Sequence, residues 1–180
     1  MKAATAWVGL GANLGDSLAT MARAVRALRG GAAIRVTGMS PVYRSSPVGL
    51  QAQPSFLNAA ARVRTRLAPD ALVRRLLVSE RKLGRRRTVA TRGGARVIDL
   101  DLLLWDDVIR RSRLATVPHP RLHRRRFALR PIVAVDPAAM HPVLGVPLRR
   151  LLARAPRSQR VRALPRSDQR RFRLLTAGRS

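Results

Sequence analysis

The chain has 180 residues, 46% of them hydrophobic and 26% charged, with 37 Lys and Arg against 9 Asp and Glu for a formal charge of +28. That length suits one folded domain with a real core, and the absence of cysteine excludes disulfides, thiolate metal sites and cysteine nucleophiles, so any metal must sit on carboxylates or histidine. No apolar run approaches the ~18 residues of a membrane span and the N-terminal stretch lacks a signal-peptide pattern, so no membrane partner and a cytoplasmic location are expected.

Ala4 to Leu10 is a short apolar run ending in GLGANLGDS, after which Leu18, Met21, Ala22, Val25 and Leu28 recur at helical spacing as far as Gly30 and Gly31. This predicts strand, Gly-rich turn, helix. The turn fails the dinucleotide fingerprint, because Leu14 stands where the third glycine is needed. Ile34 to Tyr43 and Phe56 to Leu67 predict two strands around the loop SSPVGLQAQPS. Pro69 and Asp70 open a second helix with Leu72, Leu76 and Leu83 on one face before Gly84, and VIDLDLLLW is a further strand. A Pro/His/Arg-rich loop, the apolar segment FALRPIVAV and turns at Pro137 and Pro142 follow. The order βαββαβ suits an α+β, ferredoxin-like sandwich with a mainly antiparallel sheet and helices packed on one face. Residues 1–155 are expected to form that domain. Arg-rich residues 156–180, with Asp168 as their one acid, are expected as a helical turn or two and then a solvated basic tail.

The positive charge is almost all Arg, with Lys2 and Lys82 as the lysines. A basic ferredoxin-like domain could bind RNA, but that calls for aromatic residues on the central strands, and aromatics are 3% of this chain. No specific nucleic-acid partner is expected.

Asp99 and Asp101 lie two positions apart on a strand, so both side chains leave one face with about 7 Å between their Cα atoms, while Ile98, Leu100 and Leu102 take the other. Two carboxylates in an apolar strand are costly unless a cation neutralises them, and hard oxygen ligands select Mg2+ or Mn2+. Just upstream, Arg85, Arg87, Arg92 and Arg96 fall in a Gly-containing loop, as donors for phosphate oxygens would. Standing alone, that loop would read as solvated arginine. His119 sits among prolines and arginines beside Thr116 and Arg125, able either to hold the loop or to donate to a phosphate or ribose oxygen. Glu80 is an acid on the apolar stripe of the second helix. Phe56 and Asn58 share a strand face, pairing an aromatic platform with an amide that suits a flat heteroaromatic ring.

Taken together, GLGANLGD, YRSSPVG, QPSFLNAA, ERKLGR, RGGARVIDLDLLL and VPHPRLHRRRF resemble, in order and from about Trp7 to Leu152, the hydroxymethyldihydropterin pyrophosphokinase family of folate biosynthesis. The resemblance implies transfer of a pyrophosphoryl group from ATP to 6-hydroxymethyl-7,8-dihydropterin, by in-line attack of the hydroxymethyl oxygen on the β-phosphorus with AMP leaving. It implies two Mg2+ ions on Asp99 and Asp101, with Arg85 and Arg96 steadying the triphosphate and Arg87 adding charge. Pterin would stack between Phe56 and Phe127, bonding to Asn58 and to backbone groups near Ser45, Ser46 and Val48. Glu80, Thr116, His119 and Arg125 would face ATP, and the protein would act as a monomer. Gly93, Ala95 and Pro120 depart from a Trp, a Pro and a Tyr found among members of the family.

Overall fold

Along β1 (Ala4–Ala12) the buried residues Ala6, Val8, Leu10 and Ala12 alternate with neighbours of the other face, where Trp7 is buried too, so both faces of this strand are covered. The computed structural model describes residues 2–47, 52–86 and 94–177. Strand β1 is flanked by β4 (Phe56–Thr65) and β5 (Asp99–Trp105), and with β3 (Tyr43–Ser45) and β10 (Val161–Ala163) the antiparallel order is β10–β3–β4–β1–β5. The remaining strand, β2 (Ile34–Met39), pairs with the far half of β4, whose near half pairs with β3 (Tyr43–Ser45).

The single strand expected from Ile34 to Tyr43 is thus two. Pro41 has no N–H for a ladder, and at the break the Ser40 hydroxyl accepts from the Ala60 N–H at 2.9 Å while the Ser40 N–H donates to the Ala60 carbonyl at 2.9 Å. The interruption leaves no unmet backbone group on Ala60 and lets β3 lie along the end of β4.

Helix α1 (Ser17–Arg29) starts on Asp16, whose carboxylate accepts from the Ala19 N–H at 3.0 Å, and α2 (Pro69–Lys82) starts on a proline that has no N–H to leave unsatisfied. Both place their apolar stripes, including Met21, Val25, Leu28, Leu72 and Leu76, against Val8, Leu10, Leu100 and Leu102. On the opposite face Trp7, Ala60, Leu103 and Leu104 pack under α3 (Arg126–Val135) and α4 (Leu148–Arg154). Helices therefore cover both faces, which corrects the expected one. The apolar segment FALRPIVAV is the reason, because it forms a helix that needs a sheet to cover.

Two short hairpins flank the sheet: β6 (Arg110–Arg111) with β7 (Thr116–Val117), which is tied to α2 through Arg110 and Asp70, and β8 (Met140–His141) with β9 (Val146–Pro147), whose Val146 packs on the second face. The solvated tail expected from 156 is also corrected. Strand β10 (Val161–Ala163) extends the sheet beyond β3, and α5 (Arg166–Ala177) buries Phe172 and Thr176 against α1. Its apolar stripe is narrow, and two polar contacts with α1 and its cap residue supplement it. Arg171 pairs with Asp16 at 2.6 Å, and Arg29 of α1 donates to the Thr176 carbonyl at 2.7 Å.

Candidate active site

The ends of β3, β4, β1 and β5 that α3 and α4 leave uncovered line up one row of residues. Tyr43 pairs with Asn58, Asn58 with Gly11 and Gly11 with Asp99; one step along, Gly9 pairs with both Ala60 and Asp101. Directly opposed residues share a face, so Asn58, Asp99 and Asp101 rise on either side of a glycine floor. A Cβ on Gly9 would come within 2.9 Å of Leu103 Cδ1, so a larger residue there would force the Leu103 side chain to move. Gly11 lies between the Asn58 amide and the Asp99 side chain, and a Cβ there would meet nothing nearer than 3.7 Å. The floor at Gly11 is open space facing polar groups.

The two carboxylates are held differently. Asp99 pairs with Arg85 and, at 2.6 Å, with Arg96. Burial works against its charge, but the two guanidinium groups prevail and hold the carboxyl below the usual range. Asp101 has 39% of its side chain accessible and its cationic neighbour, Arg125, 3.9 Å away. Enclosure by the cleft and then the charge of Asp99 push it up to about 6, with Arg125 only partly offsetting them. Among the described residues this carboxylate lacks the close cation that Asp99 has, and the pair forms a donor set of hard oxygens suited to a divalent ion.

Glu80 is 1% exposed. One of its oxygens accepts from the Leu100 N–H at 2.7 Å and from Arg85, so α2 both fastens β5 and aims Arg85 at Asp99. Placed beneath the strand, Glu80 reaches the cleft through Arg85.

Arg96 lies 5.2 Å over the Phe56 ring, and Arg125 lies 5.6 Å over that of Phe127. Contacts therefore run from Phe56 through Arg96 to Asp99, and from Asp101 through Arg125 to Phe127. Asn58 is buried and donates from Nδ2 to the Ser45 hydroxyl at 2.9 Å. The Ser46 N–H, which the resemblance offers to pterin, is taken by the Arg160 carbonyl at 3.3 Å. Val48, Arg87, Arg92 and Gly93 lie outside the described residues.

His119 is fixed by its own N–H to the Leu103 carbonyl at 2.8 Å, and its Nδ1 accepts from the Arg121 N–H at 3.1 Å. Burial, then the charges of Arg125 and Arg121, lower its pKa to about 4. The ring is neutral at pH 7, and since Nδ1 accepts, its proton belongs on Nε2. That Nε2–H and the Arg125 Nη1, 3.4 Å apart, are two donors facing one space, as an anion's oxygen would require. Thr116 and His119 line one end of a 280 Å³ cavity shared with Ile109, Pro120, Val143 and Leu144. A larger pocket of 390 Å³ by Asp70, Arg74 and Ser112 contains none of these site residues.

The residue sequence reasoning missed is Asn13. It is buried in the Gly-rich turn, where its Oδ1 accepts from the Arg96 N–H at 2.7 Å and its Nδ2 donates to the Pro54 carbonyl at 3.0 Å. An Asn between Gly11 and Gly15 is the signal, since that side chain commonly bonds to backbone in turns.

Residues 7–137 match the family 7,8-dihydro-6-hydroxymethylpterin-pyrophosphokinase (HPPK). The chain belongs to this family. It is 34% identical over 146 residues to the 2-amino-4-hydroxy-6-hydroxymethyldihydropteridine pyrophosphokinase of Aquifex aeolicus, covering 81% of this chain and 89% of that one. To the enzyme of the same name from Bacillus subtilis it is 38% identical over 130 residues, 72% of this chain and 77% of that one. It is 35% identical over 167 residues to the folic acid synthesis protein fol1 of Schizosaccharomyces pombe, covering 93% of this chain but only 22% of the yeast protein. Among solved structures, the wild-type HPPK-DHPS of Plasmodium falciparum superposes with a TM-score of 0.64 at 13% identity, over 85% of this chain and 45% of that one. That likeness bears on the fold, which is ferredoxin-like.

Proposed function

We infer that the protein transfers the pyrophosphoryl group of ATP to 6-hydroxymethyl-7,8-dihydropterin, forming the pterin diphosphate and AMP in folate biosynthesis. The observation that carries this reading is one sheet face on which the Asp99–Asp101 pair stands beside Asn58, with arginines reaching in from both sides. Family membership supplies the substrates.

In this reading the ring system of the pterin lies between Phe56 and Phe127, with Asn58 presenting its amide to the ring edge. Asn58 arrives oriented, because Ser45 has already taken one of its N–H groups. The His119 Nε2–H and Arg125 receive oxygens of the triphosphate, with Thr116 beside them, and Arg85 and Arg96 stand where charge develops on the transferring group. Glu80 acts by holding Arg85. Asp99 and Asp101 fit two Mg2+ ions by the hardness of their oxygens, and such ions supply charge neutralisation to both the attacking and the leaving oxygen. The hydroxymethyl oxygen bonds to the β-phosphorus as the bond to the bridging oxygen of AMP breaks, with no covalent enzyme intermediate.

No helix among the described residues is long and apolar enough to cross a membrane. We place the protein in the cytoplasm as a monomer acting on these two small molecules. The test is pterin-dependent formation of AMP from ATP and Mg2+ by the purified chain. Release of ADP, or AMP formation indifferent to pterin, would overturn the reading.

A further inference from the structure

Five elements, β8, β9, α4, β10 and α5, lie beyond the 7–137 match, and one short segment among them touches both walls of the cleft. Helix α3 begins without a side-chain cap from its own N-cap residue, Arg125. The first N–H groups of a helix have no partner inside it, so this end must be satisfied from elsewhere. Gln159 does so. Its Oε1 accepts from the Arg126 N–H at 2.9 Å while its Nε2 donates to the Arg124 carbonyl at 3.0 Å, so a single amide bridges the backbone on either side of Arg125. The same turn is gripped again where Arg126 Nη1 reaches the carbonyls of Leu152 and Ala155, at 3.3 and 3.4 Å.

The residues that follow Gln159 hold the opposite wall. The Arg160 carbonyl accepts from the Ser46 N–H, and Val161 pairs with Ser45, the residue whose hydroxyl fixes Asn58. Gln159 itself is held in a turn by its N–H to the Pro156 carbonyl at 3.1 Å.

We propose that Gln159 is a positioning residue of the active site: with Arg160 and β10 it forms a brace that sets the distance between the Asn58–Ser45 wall and the Arg125–Phe127 wall. The proposal rests on the functional reading above. It follows from connectivity, since the bonded pairs place only Gln159 and Arg160 between the turn that carries Arg125 and Ser46, the neighbour of the Ser45 that orients Asn58. Without the amide, the turn carrying Arg125 and Phe127 keeps its helix but loses its fixed angle to β3. Gln159 touches neither substrate in this arrangement and acts through Arg125 and Phe127.

The test uses Gln159→Met, which keeps the length of the side chain and removes both polar bonds, with Gln159→Ala as a second variant. The control is Phe172→Leu, which loosens α5 on α1 at a distance from the brace. Loss of one oriented bond corresponds to a change of about fivefold. Both Gln159 variants are expected to raise the KM for pterin and lower kcat by about that factor or more, and to speed amide exchange at Arg126 and Phe127. Phe172→Leu should lower Tm at least as far while leaving KM, kcat and those two amides unchanged. Unaltered kinetics in Gln159→Met, or the same kinetic loss in Phe172→Leu, overturns the positioning role. If the unmodified chain forms no AMP, the functional reading is what fails, and amide exchange alone decides the brace. Faster exchange at Arg126 in Gln159→Met but not in Phe172→Leu upholds it, and equal exchange overturns it.

Discussion

Asn13 and Arg96 are joined in both directions: the Arg96 N–H donates to Asn13 Oδ1 at 2.7 Å, and the Asn13 N–H donates to the Arg96 carbonyl at 3.0 Å. The Gly-rich turn after β1 therefore holds the base of the arginine that reaches Asp99 and lies over Phe56. Asn13→Ala removes the acceptor for a partly buried N–H, which costs about 1–2 kcal/mol of stability. Turnover should fall by about tenfold or more, because a misplaced guanidinium loses its developing contact with the transferring group. Steady-state kinetics beside urea denaturation checks this. A stability loss with unchanged kcat would mean that Arg96 orients itself without Asn13.

Asn58→Ala and Phe127→Ala should weaken pterin binding much more than ATP binding. Stacking and an oriented amide are each worth on the order of 1 kcal/mol, with more lost where a polar partner is left unpaired. Asn58→Ala also leaves the buried Ser45 hydroxyl without its donor, so its effect should be the larger. Titration calorimetry with each ligand separates the two. Equal losses for pterin and ATP would show that the pterin wall is placed wrongly.

The two aspartates should part company in stability while agreeing in function. Asp99→Asn strips the counter-charge from Arg96 and half of that from Arg85, both substantially buried, and should cost about 2 kcal/mol. Asp101→Asn removes a carboxylate that is enclosed beside Asp99 with Arg125 no nearer than 3.9 Å. After allowance for its exposure, that change should stabilise by on the order of 1 kcal/mol at neutral pH. Turnover should fall by several orders of magnitude in both if they hold the catalytic ions. Thermal unfolding in the presence of a chelator gives the stabilities. A drop in Tm for Asp101→Asn would contradict the electrostatic account of the pair.

The parts of this site legible in the sequence were those set by strand periodicity. Asp99 with Asp101 and Phe56 with Asn58 share a face because the side-chain period of a strand is two, whatever lies next to it. Contacts between distant segments were not legible. Nothing local to Ser40–Pro41 says that two successive strands will share one partner, and nothing in the Arg-rich stretch beyond 156 says that Phe172 and Thr176 will find α1. Charge hides the stripe, since Arg170, Arg171 and Arg173 stand immediately around Phe172. The second helical layer was missed because FALRPIVAV is short and contains Pro131, which lowers the helical reading although the segment folds as α3. Glu80 was visible as an acid on an apolar stripe, but its partners, Leu100 and Arg85, come from the strand and the loop.

The last prediction concerns His119 and pH. Its folded pKa of about 4 lies below the ordinary value of 6.5 because burial and the charges of Arg125 and Arg121 disfavour a second proton, outweighing a backbone hydrogen bond and the charge of Asp99. In the unfolded chain these constraints vanish and the ring protonates near its ordinary value. Between those two values the unfolded state binds more protons, so stability due to this residue is complete above pH 6.5 and is lost as pH falls towards 4. At pH 5 the loss relative to neutral pH comes to about 2 kcal/mol. His119→Asn is the comparison to make, because its carbonyl can accept from the Arg121 N–H as Nδ1 does now and it does not titrate. Urea midpoints at pH 7.5 and pH 5 should therefore fall further for the unmodified protein than for His119→Asn, the gap closing or reversing as pH drops. The same substitution should weaken ATP binding at neutral pH, because the Nε2–H that faces the same space as Arg125 would be gone. Parallel pH profiles for the two proteins would mean that the ring is not held neutral by its surroundings, and would remove the basis for assigning its proton to Nε2.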